Sequence, residues 1–272
     1  MKTIKDFKKM KKNNDKIVMM TAYDYPSGIL AEKSGIDLIL AGDSLGMTVL
    51  GYDSTLKVTV DDIVRHTQAV RRGAKDTFII ADLPYGSYHI SNEETKRNAF
   101  RLIQEGNANA VKLEGGSESR IKLISMLTDC EIPVCAHLGL TPQSVNKLGG
   151  YKIQGKSFTH KKILLEQAKA IEEAGAFMLV LEGMPEELAK NITESTSIPA
   201  IGIGAGKYTD GQVMVFHDIL NLSNNQARFV KVFADVGTAA LNGLKKYREE
   251  VKNGLYPGKE HIYYPLDDKE QK

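Results

Sequence analysis

A chain of 272 residues that is 42% apolar and 26% charged, with a net charge of +2, has the composition of a folded globular protein. That balance excludes an intrinsically disordered chain and one dominated by a nucleic-acid footprint, and no apolar run approaches the roughly 18 residues of a membrane span. The two cysteines, Cys130 and Cys135, lack CxxC or zinc-finger spacing and read as reduced core or near-core thiols of a cytoplasmic protein.

The lysine-rich N-terminus is followed by too short an apolar run to read as a secretory leader. From Thr3 to Lys12, Ile4, Phe7 and Met10 recur three apart with lysines on the other face, which predicts a short amphipathic helix serving as a plug or edge packing. Strand candidates follow at Ile17 to Thr21, Leu38 to Ala41, Phe78 to Ala81, Ala110 to Leu113 and Ile132 to Ala136. Three more are Phe177 to Leu181, Ala200 to Ile203 and Phe229 to Phe233. Helix-period segments separate several of them, among them Tyr25 to Lys33, Asp61 to Arg72, Glu93 to Glu105, Lys161 to Ala174 and Pro185 to Asn191. Such alternation predicts a parallel sheet, and eight strands suffice to close a (β/α)8 TIM barrel; an open doubly wound sheet is the alternative. No linker or shift in composition divides the chain. Residues 1–272 therefore read as a single barrel domain with a short N-terminal helix and a loose tail after about Tyr264.

The residues just past the strands carry the chemistry. They are Tyr23 and Asp24, Asp43 and Ser44, Asp82, Glu114, His137 and Glu182, then Gly204 and Gly206, and Asp235. In a barrel such positions share the C-terminal mouth, where catalytic groups belong. Any one Asp or Ser there could be a helix N-cap. Several carboxylates, a histidine and Lys112 converging on one rim are not explained that way, because the carboxylates would repel and raise each other's pKa without a metal, a cationic neighbour or a shared proton. Asp43 and Asp82 suit a hard divalent cation with open positions, Mg²⁺ rather than Zn²⁺. Lys112 could pair with a substrate carboxylate and Glu182 could take a proton alpha to a ketone. His137 reads as a hydrogen-bonding partner and not as a ligand.

Several motifs resemble the ketopantoate hydroxymethyltransferase family. They are Thr21-Ala22-Tyr23-Asp24, Gly42-Asp43-Ser44-Leu45-Gly46, Ala81-Asp82-Leu83-Pro84, Val111-Lys112-Leu113-Glu114-Gly115-Gly116 and His137-Leu138-Gly139-Leu140-Thr141-Pro142. Gly150-Tyr151-Lys152-Ile153-Gln154-Gly155, Leu181-Glu182-Gly183 and the run from Ile201 to Gln212 continue the match in order. The resemblance implies a Mg²⁺-dependent enzyme of the first step towards pantothenate. It would move a hydroxymethyl group from 5,10-methylenetetrahydrofolate to C3 of 3-methyl-2-oxobutanoate, giving 2-dehydropantoate. By that resemblance Asp43 and Asp82 are metal ligands, with Glu114 assisting directly or through water. Asp43, Ser44, Asp82 and Lys112 contact substrate, Glu182 accepts the proton, and His137 is an active-site partner. The family likeness further implies small-molecule partners only, no nucleic acid or membrane, and a homo-oligomer, specifically a decamer.

Two glycine motifs compete with this reading. Gly150-x₄-Gly155-Lys156-Ser157 matches a P-loop in letters, but the residues before it do not read as the buried strand that a phosphate cradle needs. It reads instead as a long loop over the mouth. Gly202-x-Gly204-x-Gly206 lacks dinucleotide spacing and reads as backbone that approaches a ligand. Two rival functions remain: a Mg²⁺-enolate lyase or mutase of the phosphoenolpyruvate mutase/isocitrate lyase type, and a non-enzymatic nucleotide-binding or lysine-tail interaction protein.

Overall fold

The computed structural model describes residues 1–223 and 227–265. Eight strands close in chain order into a barrel: β1 (Ile17–Thr21), β2 (Leu38–Ala41), β3 (Phe78–Asp82), β4 (Ala110–Glu114), β5 (Val134–Gly139), β6 (Met178–Glu182), β7 (Ala200–Ile203) and β8 (Gly211–Met214). All neighbours are parallel, and β1 pairs with both β2 and β8. The sheet therefore has no edge, and the open alternative is ruled out. The helices are α1 (Ile4–Asn13), α2 (Tyr25–Lys33), α3 (Leu45–Thr48), α4 (Val60–Gly73), α5 (Asn92–Gln104), α6 (Glu118–Asp129), α7 (Val145–Leu148), α8 (Phe158–Glu173), α9 (Glu186–Ser195), α10 (Phe216–Ile219) and α11 (Val236–Lys252). This is the (β/α)8 TIM barrel expected. None of its helices is long and apolar enough to cross a membrane, among the described residues.

Apolar side chains fill two layers. One lies inside the strands, built from Ile17 and Met19, Leu38 and Leu40, Phe78 and Ile80 and their counterparts on the later strands. The other lies between strands and helices, where Val111, Leu113, Val134, Ala136, Leu179 and Leu181 meet residues such as Leu102, Ile124 and Ile171. Alternation of side chains along each strand produces both layers at once. Helix α1 closes the N-terminal end of the barrel. Its Phe7 is fully buried and meets Phe78 edge-on, with ring centroids 5.3 Å apart. A capping box between Thr3 and Asp6 starts this helix, and Lys11 ties its end to Asp210 at 2.8 Å.

The last strand is not where the apolar run suggested. Phe229 to Phe233 forms no strand, and both phenylalanines are exposed. β8 instead follows β7 after seven residues without a helix between them, so a search for helix-spaced strands passes over it. Its apolar signal is also diluted by Gly211 and Gln212. Gly211 is needed there because a Cβ would lie 2.1 Å from the Ile17 carbonyl oxygen on the neighbouring strand.

Residues 217–223 and 231–265 belong to a second compact unit, which contains α11 and its approach. Asp235, expected at the barrel mouth, follows no strand. It caps α11, accepting hydrogen bonds from the Thr238 N–H at 3.2 Å and from Asn221 at 2.7 Å. The expected loose tail lies almost wholly outside the described residues, which end at Pro265.

Barrel closure gives a direct test. Gly211→Ala is expected to cost about 1–3 kcal/mol or more through forced separation of β8 from β1, read as a lower urea midpoint. Unchanged stability would mean that this strand pair has slack.

Candidate active site

The strands change character towards their C-terminal ends. On β3 the interior positions run Phe78, Ile80, Asp82; on β4 Ala110, Lys112, Glu114; on β5 Cys135, His137; on β6 Met178, Val180, Glu182. The two-residue period that aims apolar groups inward thus delivers ionisable groups to the same axis one step higher. Parallel register sets Asp82 beside Lys112 and Glu114 beside His137. Asp43 arrives just beyond β2. Gly42 before it leaves room for its neighbours, since a Cβ there would stand 3.2 Å from Asp82 Oδ2 and from Ser44 Oγ. The Asp43 N–H donates to Asp82 Oδ2 at 2.9 Å.

Asp43, Asp82, Lys112, Glu114 and His137 are all buried, while the Glu182 side chain retains 16% exposure. Lys112 Nζ donates to Asp82 Oδ1 and lies 4.0 Å from Glu114 Oε1. The His137 ring stands between two carboxylates, with Nδ1 3.4 Å from Glu114 Oε1 and Nε2 3.3 Å from Glu182 Oε2. Both contacts are close enough for charge pairing, yet neither nitrogen has an aligned hydrogen-bond partner. We therefore read them as ion pairs with a protonated imidazole. Tyr23 Oη and Ser44 Oγ are 2.7 Å apart.

Each shift in protonation has a local cause. Burial, together with the charges of Asp82 and Glu114, raises the Asp43 carboxyl well above the usual range. Burial alone would discharge Lys112, but Asp82, Glu114 and Asp43 outweigh it and hold the ammonium charged. Burial pushes Glu114 up, and His137, Lys112 and the Gln143 N–H more than offset this, leaving it lowered. Desolvation likewise opposes charge on His137, but Glu114 and Glu182 bring its pKa to about 9.

Every residue proposed for the site except Ser44 thus reaches one connected cluster through direct contacts, and Ser44 borders it beside Gly42. Asp43, Asp82 and Glu114 do not form a three-carboxylate cage. No group of three or more His, Cys, Asp or Glu positioned for a metal ion occurs among the described residues. Sequence reasoning missed Gln143 and Tyr88. Gln143 donates from Nε2 to Asp43 Oδ2 at 2.8 Å and to the Leu83 carbonyl at 3.0 Å, and its N–H donates to Glu114 Oε2 at 3.0 Å. Tyr88 Oη donates to Gln143 Oε1. The only sequence signal for Gln143 was its place directly after Thr141-Pro142, past a strand that ends in the mouth.

The glycine motifs resolve otherwise. The P-loop letters follow the short helix α7 and not a strand, and Ser157 caps α8. Gly204 and Gly206 make room for Phe229 and Glu186, whose side-chain atoms would lie 2.7 and 2.2 Å from an added Cβ.

A family model described as ketopantoate hydroxymethyltransferase matches residues 1–259. Relatives named 3-methyl-2-oxobutanoate hydroxymethyltransferase from Bacillus cereus (strain AH187) and Bacillus thuringiensis (strain Al Hakam) are 54% and 53% identical over 264 residues. Each alignment covers 97% of this chain, and 95% and 94% of the respective relative. Among solved structures, 2,3-dimethylmalate lyase, a PEP mutase/isocitrate lyase superfamily member, superposes with TM-score 0.60 at 16% identity over 99% of this chain and 94% of that one. Phosphonopyruvate hydrolase in complex with oxalate and Mg++ gives TM-score 0.62 at 12% identity over 96% and 94%. At these identities the structural likeness speaks for the fold alone.

The His137 contacts predict a pH response. Its folded pKa near 9 exceeds the roughly 6.5 of an unfolded histidine. The stability it contributes is therefore complete below about pH 6.5 and lost as pH rises through about 9. Imidazole NMR should follow that titration, and Glu114→Gln should shift it down. A wild-type ring titrating at or below 6.5 would refute the paired cation.

Proposed function

The chain belongs to the ketopantoate hydroxymethyltransferase family, enzymes of the pantothenate pathway, and on that premise we propose the specific reaction of its barrel mouth. The one-carbon unit of 5,10-methylenetetrahydrofolate passes to C3 of 3-methyl-2-oxobutanoate in place of its C3 hydrogen, with water supplying the hydroxyl, giving 2-dehydropantoate and tetrahydrofolate, with Mg²⁺ as the resident cation. The observation that carries this reading is the imbalance of charge: four carboxylates, Asp43, Asp82, Glu114 and Glu182, face one lysine and one histidine.

The donor set fits Mg²⁺. Only Asp43 and Asp82 would hold the ion, and Glu114, turned to His137 and the Gln143 N–H, would assist through water. Two carboxylates with the remaining positions left to water and substrate oxygens is how Mg²⁺ is commonly bound. Burial and the charges of Asp82 and Glu114 raise the Asp43 carboxyl more than Lys112 lowers it, and the Mg²⁺ and oxalate held by the structurally similar phosphonopyruvate hydrolase accord with a cation there. When bound, the ion would supply a Lewis acid that polarises the 2-oxo group.

The remaining work falls to the chain. Lys112 offers its ammonium to the substrate carboxylate while Asp82 keeps it in place. Ser44, oriented by Tyr23, supplies a hydroxyl beside them. Glu182 is the one carboxylate of the set with appreciable access to solvent, and it takes the proton from C3. His137 holds Glu182 on one side and Glu114 on the other, which fixes the base relative to the anchoring groups. The two unpaired cysteines suit the cytoplasm. The exposed stripe of Leu241, Leu244, Tyr247 and Val251 on α11 suits a homo-oligomer.

The test is proton NMR of 3-methyl-2-oxobutanoate in deuterated buffer. Wild-type protein with Mg²⁺ should wash out the C3 hydrogen before folate is added, and turnover should then require the folate. Glu182→Gln should slow the exchange by about 10²–10⁴-fold; unchanged exchange would give the proton to another base. Asp43→Ala or Asp82→Ala should lose Mg²⁺ activation while keeping a cooperative thermal transition. Normal activation in either variant would remove that residue as a ligand, and folate-independent product formation would point to a lyase or mutase.

A further inference from the structure

Gln143 has no part in the reaction as described, yet four hydrogen bonds of the buried mouth end on it. It sits in a single 3-10 turn, Pro142–Ser144, just past β5, and is itself buried. The orientation of its amide is determined by its neighbours. The Leu83 carbonyl and the Asp43 carboxylate both need donors, which places Nε2 between them. Tyr88 Oη accepts the Glu114 N–H at 3.3 Å, so its one hydrogen is free for Gln143 Oε1. A flipped amide would leave mismatched partners on both sides.

We propose that Gln143 is a positioning residue for the cation site, resting on the reading of Asp43 as a metal ligand. By occupying Oδ2 of Asp43, the amide leaves Oδ1 as the atom available to an ion and prevents the carboxylate from turning to a two-oxygen grip. Mg²⁺ demands near-ideal octahedral geometry, which a fixed one-oxygen ligand serves better than a carboxylate free to turn. Through its backbone N–H the same residue holds Glu114 Oε2, which keeps the other oxygen of Glu114 towards His137. One uncharged residue on the loop after β5 therefore sets the aim of carboxylates delivered by β2 and β4.

The test measures binding of Mn²⁺ to the metal-free protein, by electron paramagnetic resonance of the free ion, alongside melting temperature without metal. Wild type should bind, and Asp43→Ala should not. Gln143→Met, similar in length but without donor or acceptor, should weaken Mn²⁺ by about 10–100-fold, the usual effect of losing a group that orients a ligand. Tyr88→Phe keeps the amide and removes the hydrogen that orients it; a loss of about two- to tenfold is expected, as for one hydrogen bond. Should Gln143→Met fail to fold, Tyr88→Phe decides the matter. Unchanged Mn²⁺ affinity in the folded variants, even with lower melting temperatures, would overturn the positioning role and leave Gln143 a structural residue. If Asp43→Ala binds Mn²⁺ as well as wild type does, the ligand assignment itself fails, a result distinct from the first.

Discussion

The ion pair of Lys112 with Asp82 is shielded from water on both sides, and the mouth of the barrel is built on it. Either group alone would be an uncompensated buried charge, a loss of about 3–5 kcal/mol when such a pair is broken. The pairing depends on register. Asp82 ends β3 and Lys112 stands at the matching step of β4, so the same ladder that closes the barrel brings the charges together. His137 repeats the device one strand further on, opposite Glu114. The two cations neutralise only part of the acidic set, and burial together with the charges of Asp82 and Glu114 raises the Asp43 carboxyl.

Rigid elements make such an arrangement tolerable. Lys112, Glu114, His137 and Glu182 are all strand residues; Lys112, His137 and Glu182 pair with neighbours on both sides of the closed sheet, while Glu114 pairs with His137 on one side and its N–H donates to Tyr88 Oη. Asp43 lies past the end of β2 and has no ladder of its own, so it is held by other means: its N–H on Asp82 and its carboxylate on Gln143. The loop that carries Gln143 is itself fastened further along, where the Gln154 N–H donates to the Gly183 carbonyl next to Glu182 at 2.8 Å.

What could be read from the residues beforehand follows from the same physics. Seven strands announced themselves because a strand buried on both faces is a continuous apolar run. The eighth did not, because Gly211 must stay small against the Ile17 carbonyl and no helix precedes the strand to mark the spacing. Phe229 to Phe233 looked apolar enough, but apolar content alone does not say whether a segment pairs. The ionisable residues of the mouth were legible because helix capping can explain one Asp past a strand but not Asp, Glu, Lys and His gathered at several strand ends. Asp235 satisfied the same pattern and proved to be a helix cap, the ordinary reason that Asp so often has. Gln143 and Tyr88 were not legible, as an amide and a phenol in loops carry no periodic signature, and only coordinates reveal that their hydrogen bonds meet.

The charge imbalance also links stability to ligand binding. In the protein without ligand, burial and the charges of Asp82 and Glu114 disfavour the ionised form of Asp43. A divalent cation that bound the folded protein would offset that cost and stabilise the fold by an amount that grows with the logarithm of its concentration over its dissociation constant. A barrel with a neutral mouth would be more stable alone and would have less to offer an ion. On the proposed reading, the position of Asp43, beyond the last strand hydrogen bond and oriented by an uncharged amide, would let it meet an ion without moving the barrel. A charge imbalance concentrated at one carboxylate, inside a rigid scaffold, is what a bound cation would answer.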